Sequence, residues 1–170
     1  MKKLFFSTLF ILLIFGKATL HAQDYTPPEN VKLEKTEDYA KYEPEVIKCI
    51  EYLEKAPLNN LDKRKDANQF FVKWITGSPN VNIDILPYLM TLVNENKDFI
   101  ITFMGGWTKY ALDSSDFRNK VNGHLAGLRA IIRVYKENKG VKSDDAVDEL
   151  VAIEKDGKLE KWLQEKLEQK

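Results

Sequence analysis

Cys49 and His124 are the side chains whose chemistry depends most on their neighbours. Cys49 is the one cysteine of the 170-residue chain, and His124 is the one histidine after residue 22. A zinc site takes three or four cysteine, histidine or carboxylate ligands, and the sequence has no phosphate-binding loop or dinucleotide fingerprint. The sequence therefore predicts neither a metal site nor a cofactor.

His124 lies in the middle of the apolar arc of a predicted helix. The positions three and four residues away hold Lys120, Val121, Gly127 and Leu128. No carboxylate on that helix can therefore orient the ring as a base, and we expect a buried core histidine. The alternative is a ligand-binding or catalytic His124, in a hydrolase-like enzyme that uses carboxylates from elsewhere in the chain.

Cys49 occurs with Val46, Ile50 and Leu53 at helical spacing, which favours a small buried hydrophobic side chain. A nucleophilic cysteine needs a base and a lowered pKa, and the nearby sequence supplies neither. A nucleophile and an intermolecular disulfide are the alternatives.

Four basic residues form a narrow stripe on the helix that carries His124: Arg118, Arg129, Arg133 and Lys136. Guanidinium groups bind carboxylates and phosphates through paired hydrogen bonds. The stripe is therefore a candidate site for an acidic partner surface or an anionic ligand. In the alternative, it faces solvent and pairs, at little gain in stability, with three acidic neighbours: Asp144, Asp145 and Asp148.

A second candidate site is an aromatic pocket between helices, formed by Trp74, Phe103, Trp107 and His124. Small-ligand pockets are mostly apolar and contain a few polar groups that orient the ligand. The alternative is that these four side chains simply fill the core.

The helix that carries the stripe, Asp116–Asn138, has apolar or small residues over about 220° of its circumference. Such a helix must be covered on more than one side. The pattern predicts an all-α fold, a single compact bundle of about six short helices around this central helix. In the preceding aromatic helix, Gly105 and Gly106 favour a tight antiparallel hairpin against Gly123 and Gly127 over a broken helix.

Helix caps and breakers predict the remaining boundaries. A first helix is expected at Glu43–Lys55, with Pro44 in its first turn. A second is expected at Lys63–Thr76, and a third, capped by Asp84, at Ile85–Asn94.

The N-terminus is typical of a secretory signal peptide, with two lysines, an apolar run and a small-residue end before Gln23. An apolar run of about 13 residues is shorter than the ~20 that span a membrane. The predicted organisation is a cleaved signal peptide at 1–22, an extended leader or linker at 23–42 and a single α-helical domain at 43–170. Tyr25, Tyr39 and Tyr42 are expected to hold the leader against the domain.

The predicted signal peptide favours a location in the periplasm or outside the cell, and the charge balance excludes some classes of partner. Without residues 1–22, the 26 basic and 26 acidic residues become 23 and 26, a net charge of −3. Nucleic-acid partners need a strongly basic surface, so none is expected. The expected function is a non-catalytic module that binds another envelope protein or an anionic ligand. A small-ligand carrier and a hydrolase-like enzyme are the alternatives.

Overall fold

The structure, a computed structural model, describes residues 25–169 and confirms the all-α prediction. Within this range it contains seven helices: α1 (Thr36–Lys55), α2 (Leu61–Gly77), α3 (Pro87–Leu92), α4 (Phe99–Ser114), α5 (Lys120–Glu137), α6 (Asp145–Lys155) and α7 (Leu159–Glu168). None of these helices has the length and apolar character to cross a membrane. The predicted signal peptide, residues 1–22, lies outside the described residues.

Helix α5 occupies the centre of the bundle, as its wide apolar arc predicts. It packs most extensively against α4 and also contacts α1, α6 and α7. Its buried side chains include His124, Leu128 and Ile131, which are almost completely shielded from solvent. The helix begins at Lys120 rather than at Asp116, because Asn119 accepts a hydrogen bond from the backbone N–H of Asn122 and caps the first turn.

The first helix begins seven residues earlier than expected. The carboxylate of Asp38 accepts hydrogen bonds from the backbone N–H groups of Glu34 and Lys35, which stabilises a helix start at Thr36. These bonds also lower the pKa of Asp38. Pro44 therefore lies inside α1 and not in its first turn, on an exposed stretch where solvent can bind the carbonyl that proline leaves unpaired.

The predicted leader is correspondingly shorter, and residues 25–35 are attached to the helices. Lys73 donates a hydrogen bond to the carbonyl of Val31, and the hydroxyl of Tyr39 contacts the carbonyl of Leu33. Tyr25 packs against Tyr52 with ring centroids 5.5 Å apart. Tyr25 and Tyr39 therefore hold this segment as expected, whereas Tyr42 lies in α1 and packs against Phe70.

Local capping residues mark the starts of α2 and α6. Asn60 accepts from the backbone N–H of Lys63, and Asp144 accepts from those of Ala146 and Val147. The third helix differs from the expectation. It covers only Pro87–Leu92, and Asp84 forms an ion pair of 2.7 Å with Lys120 instead of a cap.

Helix α4 continues through Gly105 and Gly106 and packs tightly against α5, as the glycines predict. A Cβ atom on Gly106 would lie 2.6 Å from Cβ of Ala130 and 3.1 Å from Cα of Gly127, so the two backbones almost touch. Gly127 leaves space for the ring of Phe103. Gly105 differs from the expectation, because it faces Ile50 of α1 rather than α5.

Candidate functional site

The α4–α5 hairpin has an open groove of about 450 Å³ along its surface. The floor is formed by small or apolar residues, and the walls carry polar and charged side chains. The lining residues are Gly106, Lys109, Tyr110 and Asp113 from α4 and Asn122, Leu125, Ala126, Arg129 and Arg133 from α5. The groove exists because Gly106 and Ala126 fill little space where the two helices meet.

Arg129 and Arg133 are held in place by carboxylates from helices outside the groove. Nε of Arg129 donates to Oε1 of Glu154 on α6 over 2.8 Å. Nη2 of Arg133 donates to both carboxylate oxygens of Glu54 on α1, at 2.9 and 3.2 Å. Both arginine side chains remain half exposed. A guanidinium has five N–H donors, so these ion pairs orient each group while further donors stay available to a ligand.

Lys109 provides the third positive charge of the groove, on the opposite wall. Its Nζ lies 3.0 Å from a carboxylate oxygen of Glu51 and 3.3 Å from one of Asp113. Burial by itself lowers the pKa of Lys109, but the hydrogen bonds with Glu51 and Asp113 outweigh this effect and raise the pKa above its ordinary value. The lysine therefore stays fully charged at neutral pH.

Tyr110 and Asn122 form the polar end of the groove. The hydroxyl of Tyr110 donates to Asp116 over 2.8 Å and accepts from the side-chain amide of Asn122 at 3.1 Å. The hydrogen bond from Tyr110 lowers the pKa of Asp116. This chain of bonds fixes the Asn122 amide, whose oxygen is a hydrogen-bond acceptor.

The lining side chains carry three positive charges, from Lys109, Arg129 and Arg133, and one negative charge, from Asp113. Carboxylates of neighbouring helices pair with all three cations, so the local charge is close to balanced. Two oriented guanidinium groups and an ammonium group suit the binding of carboxylate or phosphate oxygens. The site has donors for binding an anion, while its described lining lacks a cysteine, serine or histidine nucleophile.

Only two of the four stripe residues line the α4–α5 groove. Arg129 and Arg133 lie together in the groove, whereas Lys136 occupies the last turn of α5 and Arg118 precedes the helix, both outside the groove lining. The expected ion-pair partners Asp144, Asp145 and Asp148 were wrong for these arginines. Asp144 caps α6 instead, and Asp148 accepts a hydrogen bond from Tyr135.

The aromatic candidates separate into two places. His124 lies within 6 Å of both Phe103 and Trp107, with its ring centroid 4.6 Å from that of Trp107. Tyr88 shares a hydrogen bond of 2.6 Å with Nδ1 of His124. Trp74 lies elsewhere, against Tyr39, and donates to its carbonyl over 3.0 Å. All four predicted pocket residues are buried, so a ligand pocket here stays a prediction that requires the rings to separate.

Cys49 is completely buried, as its helical spacing predicts. Its thiol contacts the carbonyl of Ala67 at 3.2 Å, and burial raises its pKa to about 12. A thiol with a raised pKa is a poor nucleophile at neutral pH. Across residues 25–169, no cluster of three or more His, Cys, Asp or Glu side chains is arranged to hold a metal ion.

A second open groove of about 650 Å³ lies between α3 and the start of α6. Its acidic residues are Glu95, Asp144 and Asp145. The helix N-terminus accounts for two of them, because Asp144 caps α6 and Asp145 lies in its first turn. This groove is larger, but the start of α6 accounts for two of its three carboxylates, whereas the arginines of the α4–α5 groove remain half exposed beside their ion-pair partners.

The chain matches no protein-family model, no curated protein and no solved structure in the comparisons made. Sequence reasoning missed Lys109, Tyr110, Asp113 and Asn122 as groove residues. The available signal was the glycine hairpin, since its register places this part of α4 beside the arginines of α5.

Proposed function

We propose that the chain is an exported, non-catalytic helical binding protein that recognises an anionic partner through the α4–α5 groove. One observation carries the proposal. Arg129 and Arg133 lie one helical turn apart in an open groove, each side chain about half exposed, and carboxylates outside the groove orient their guanidinium groups. Oriented donors bind an anion with a smaller loss of side-chain entropy than free ones.

The other candidate groups give less support to a carrier or an enzyme. The aromatic side chains around His124 fill their space by contact with one another. The thiol of Cys49 lies out of reach of solvent. Export is supported by the sequence of residues 1–22, in which a basic start, an apolar run and a small-residue end follow one another.

The proposal is tested by crosslinking in intact cells that produce the full chain, with a reagent that does not cross the inner membrane. Proteins bound to the native chain are purified and identified by mass spectrometry. A variant with Arg129→Glu and Arg133→Glu reverses the groove charge. A matched control with Arg118→Glu and Lys136→Glu makes the same change in net charge outside the groove.

We expect a partner to be captured by the native chain and by the control, and to be lost with the groove variant. Circular dichroism of the purified proteins checks that all three remain folded. Equal capture by both variants contradicts the role of the groove. Absence of any crosslink to the native chain, when a reagent that enters the cytoplasm does produce one, contradicts the external location.

A further inference from the structure

The width of the groove limits what it can hold. The backbones of α4 and α5 almost touch at Gly106 and Gly127, so their axes are close together and the space between their walls is narrow. A helix with side chains has a diameter of about 10–12 Å and would rest on top of the walls. An extended chain is thinner and reaches the floor formed by Gly106, Leu125 and Ala126.

The length of the groove corresponds to a short peptide segment. Asn122 and Arg133 mark two ends of its α5 wall. They are eleven residues apart in a helix that rises about 1.5 Å per residue, which gives about 16 Å. An extended chain rises about 3.3 Å per residue, so about five residues fill this length.

The two arginines match the side-chain repeat of an extended chain. Arg129 and Arg133 are four residues apart in α5, which places them about 6 Å apart along its axis. Side chains on one face of an extended chain repeat every two residues, at about 6.6 Å. Two carboxylates at alternate positions of a bound segment therefore match the axial spacing of the two arginines, whose guanidinium groups are held by α6 and α1.

We infer that the groove binds an extended protein segment that carries two carboxylate side chains at alternate positions, with one carboxylate on Arg129 and the other on Arg133. This inference rests on the proposed function and specifies its partner. The half-exposed guanidinium groups offer the carboxylates of the segment N–H donors beyond those that bind Glu154 and Glu54. The amide of Asn122, which Tyr110 holds in place, is suited to accept a backbone N–H of the segment, a contact that a free phosphate would not make.

The inference is tested with fluorescein-labelled peptides of equal length, by fluorescence anisotropy on the purified protein. The first peptide has two glutamates at alternate positions and flanking prolines that prevent helix formation. A second has adjacent glutamates, which point to opposite faces of an extended chain, and a third has glutamines in place of the glutamates. We expect the first to bind about tenfold more tightly than either of the others, because it alone makes both charge-assisted contacts.

Variants assign the preference to the groove. Arg133→Gln is expected to reduce the affinity of the alternating peptide about tenfold and to remove its advantage over the adjacent-glutamate peptide. Lys136→Gln removes the same charge three residues away, outside the groove, and should leave the preference intact. Loss of the preference in both variants would show a general charge effect and overturn the inference.

Two further probes separate this inference from the proposed function. Tighter binding of an alanine-based helical peptide with glutamates four residues apart would overturn the extended-segment inference and leave anion recognition standing. Displacement of the alternating peptide by an equal concentration of inorganic phosphate would do the same, in favour of a small-anion site. Crosslinking that is unaffected by reversal of the groove charge contradicts the proposed function itself.

Discussion

Two arginines bind the same turn of α1 from opposite sides, and their surroundings give them different roles. Arg64 reaches this turn from the interior, where Nη1 donates to the carbonyls of Leu53 and Ala56 at 2.6 and 2.8 Å. Arg133 reaches it from the surface and binds the carboxylate of Glu54. Arg64 is completely buried, whereas half of the Arg133 side chain is exposed.

The two arginines differ in whether water can take over their hydrogen bonds when the side chain is removed. The last carbonyls of a helix have no partner within the helix, and a buried carbonyl without a partner costs about 1–3 kcal/mol. Arg64 supplies that partner for Leu53 and shares the carbonyl of Ala56 with the side-chain amide of Asn138. It also complements the negative end of the α1 dipole. Glu54 keeps 19% of its side chain exposed, so solvent can still reach part of it if Arg133 is removed. Because Arg64 is buried, it contributes to stability, whereas the half-exposed Arg133 remains available for binding.

The largest expected effect is that of Arg64→Ala. The change removes two hydrogen bonds from a charged donor to buried carbonyls and leaves a cavity, so we expect the free energy of unfolding to fall by about 3 kcal/mol. Urea denaturation followed by circular dichroism measures it. The matched surface change, Arg133→Ala, is expected to cost less than about 1 kcal/mol. Equal losses in the two variants would contradict the comparison.

Cys49 tests the same contrast between buried and exposed groups by a change of pH, because it is a buried group with a titratable proton. Burial raises the pKa of its thiol from 9.0 to about 12. The unfolded chain therefore loses this proton at a lower pH than the folded chain does. Its contribution to stability is fully present below pH 9 and is lost as the pH rises from 9 to 12. At pH 10 the loss is about 1.4 kcal/mol.

The measurement is the free energy of unfolding of the native chain and of Cys49→Ala at pH 8 and pH 10. Other groups titrate in both proteins, so the difference between the two proteins isolates the thiol. We expect the native chain to lose more stability than the variant over this interval. Identical losses in the two proteins would show that the thiol ionises in the folded state as readily as in the unfolded chain.

Features set by residues close in sequence were predictable. The caps of α2 and α6 act over two or three residues, and the apolar arc of α5 gave its central position. The glycine hairpin was also predictable, since close backbone packing is one of the few reasons to place glycines inside a helix. The start of α1 differs from the prediction because Pro44 is typical of a first helical turn, whereas the carboxylate of Asp38 stabilises a start at Thr36.

Features that depend on pairs distant in sequence were not predictable from the pattern. Arg133 and Glu54 are 79 positions apart, and Arg129 and Glu154 are 25 apart, so several acidic residues were equally plausible partners. Asp84 looked like a helix cap until the fold placed Lys120 beside it. The groove is formed by two helices, so its prediction requires the register between them. The stripe on α5 indicated only one of its walls.

The double variant Arg129→Gln and Arg133→Gln is expected to have a small effect on stability. Its ion pairs are exposed on the arginine side and contribute little net free energy, so the free energy of unfolding should fall by less than about 1 kcal/mol. Urea denaturation at low and high salt measures it, and the difference from the native chain should shrink as salt screens the pairs. A loss as large as that of Arg64→Ala would make the groove arginines structural and remove the distinction between the two regions. A small loss of stability together with a lost partner assigns them to binding, because a side chain required for the fold cannot be removed without destabilising it.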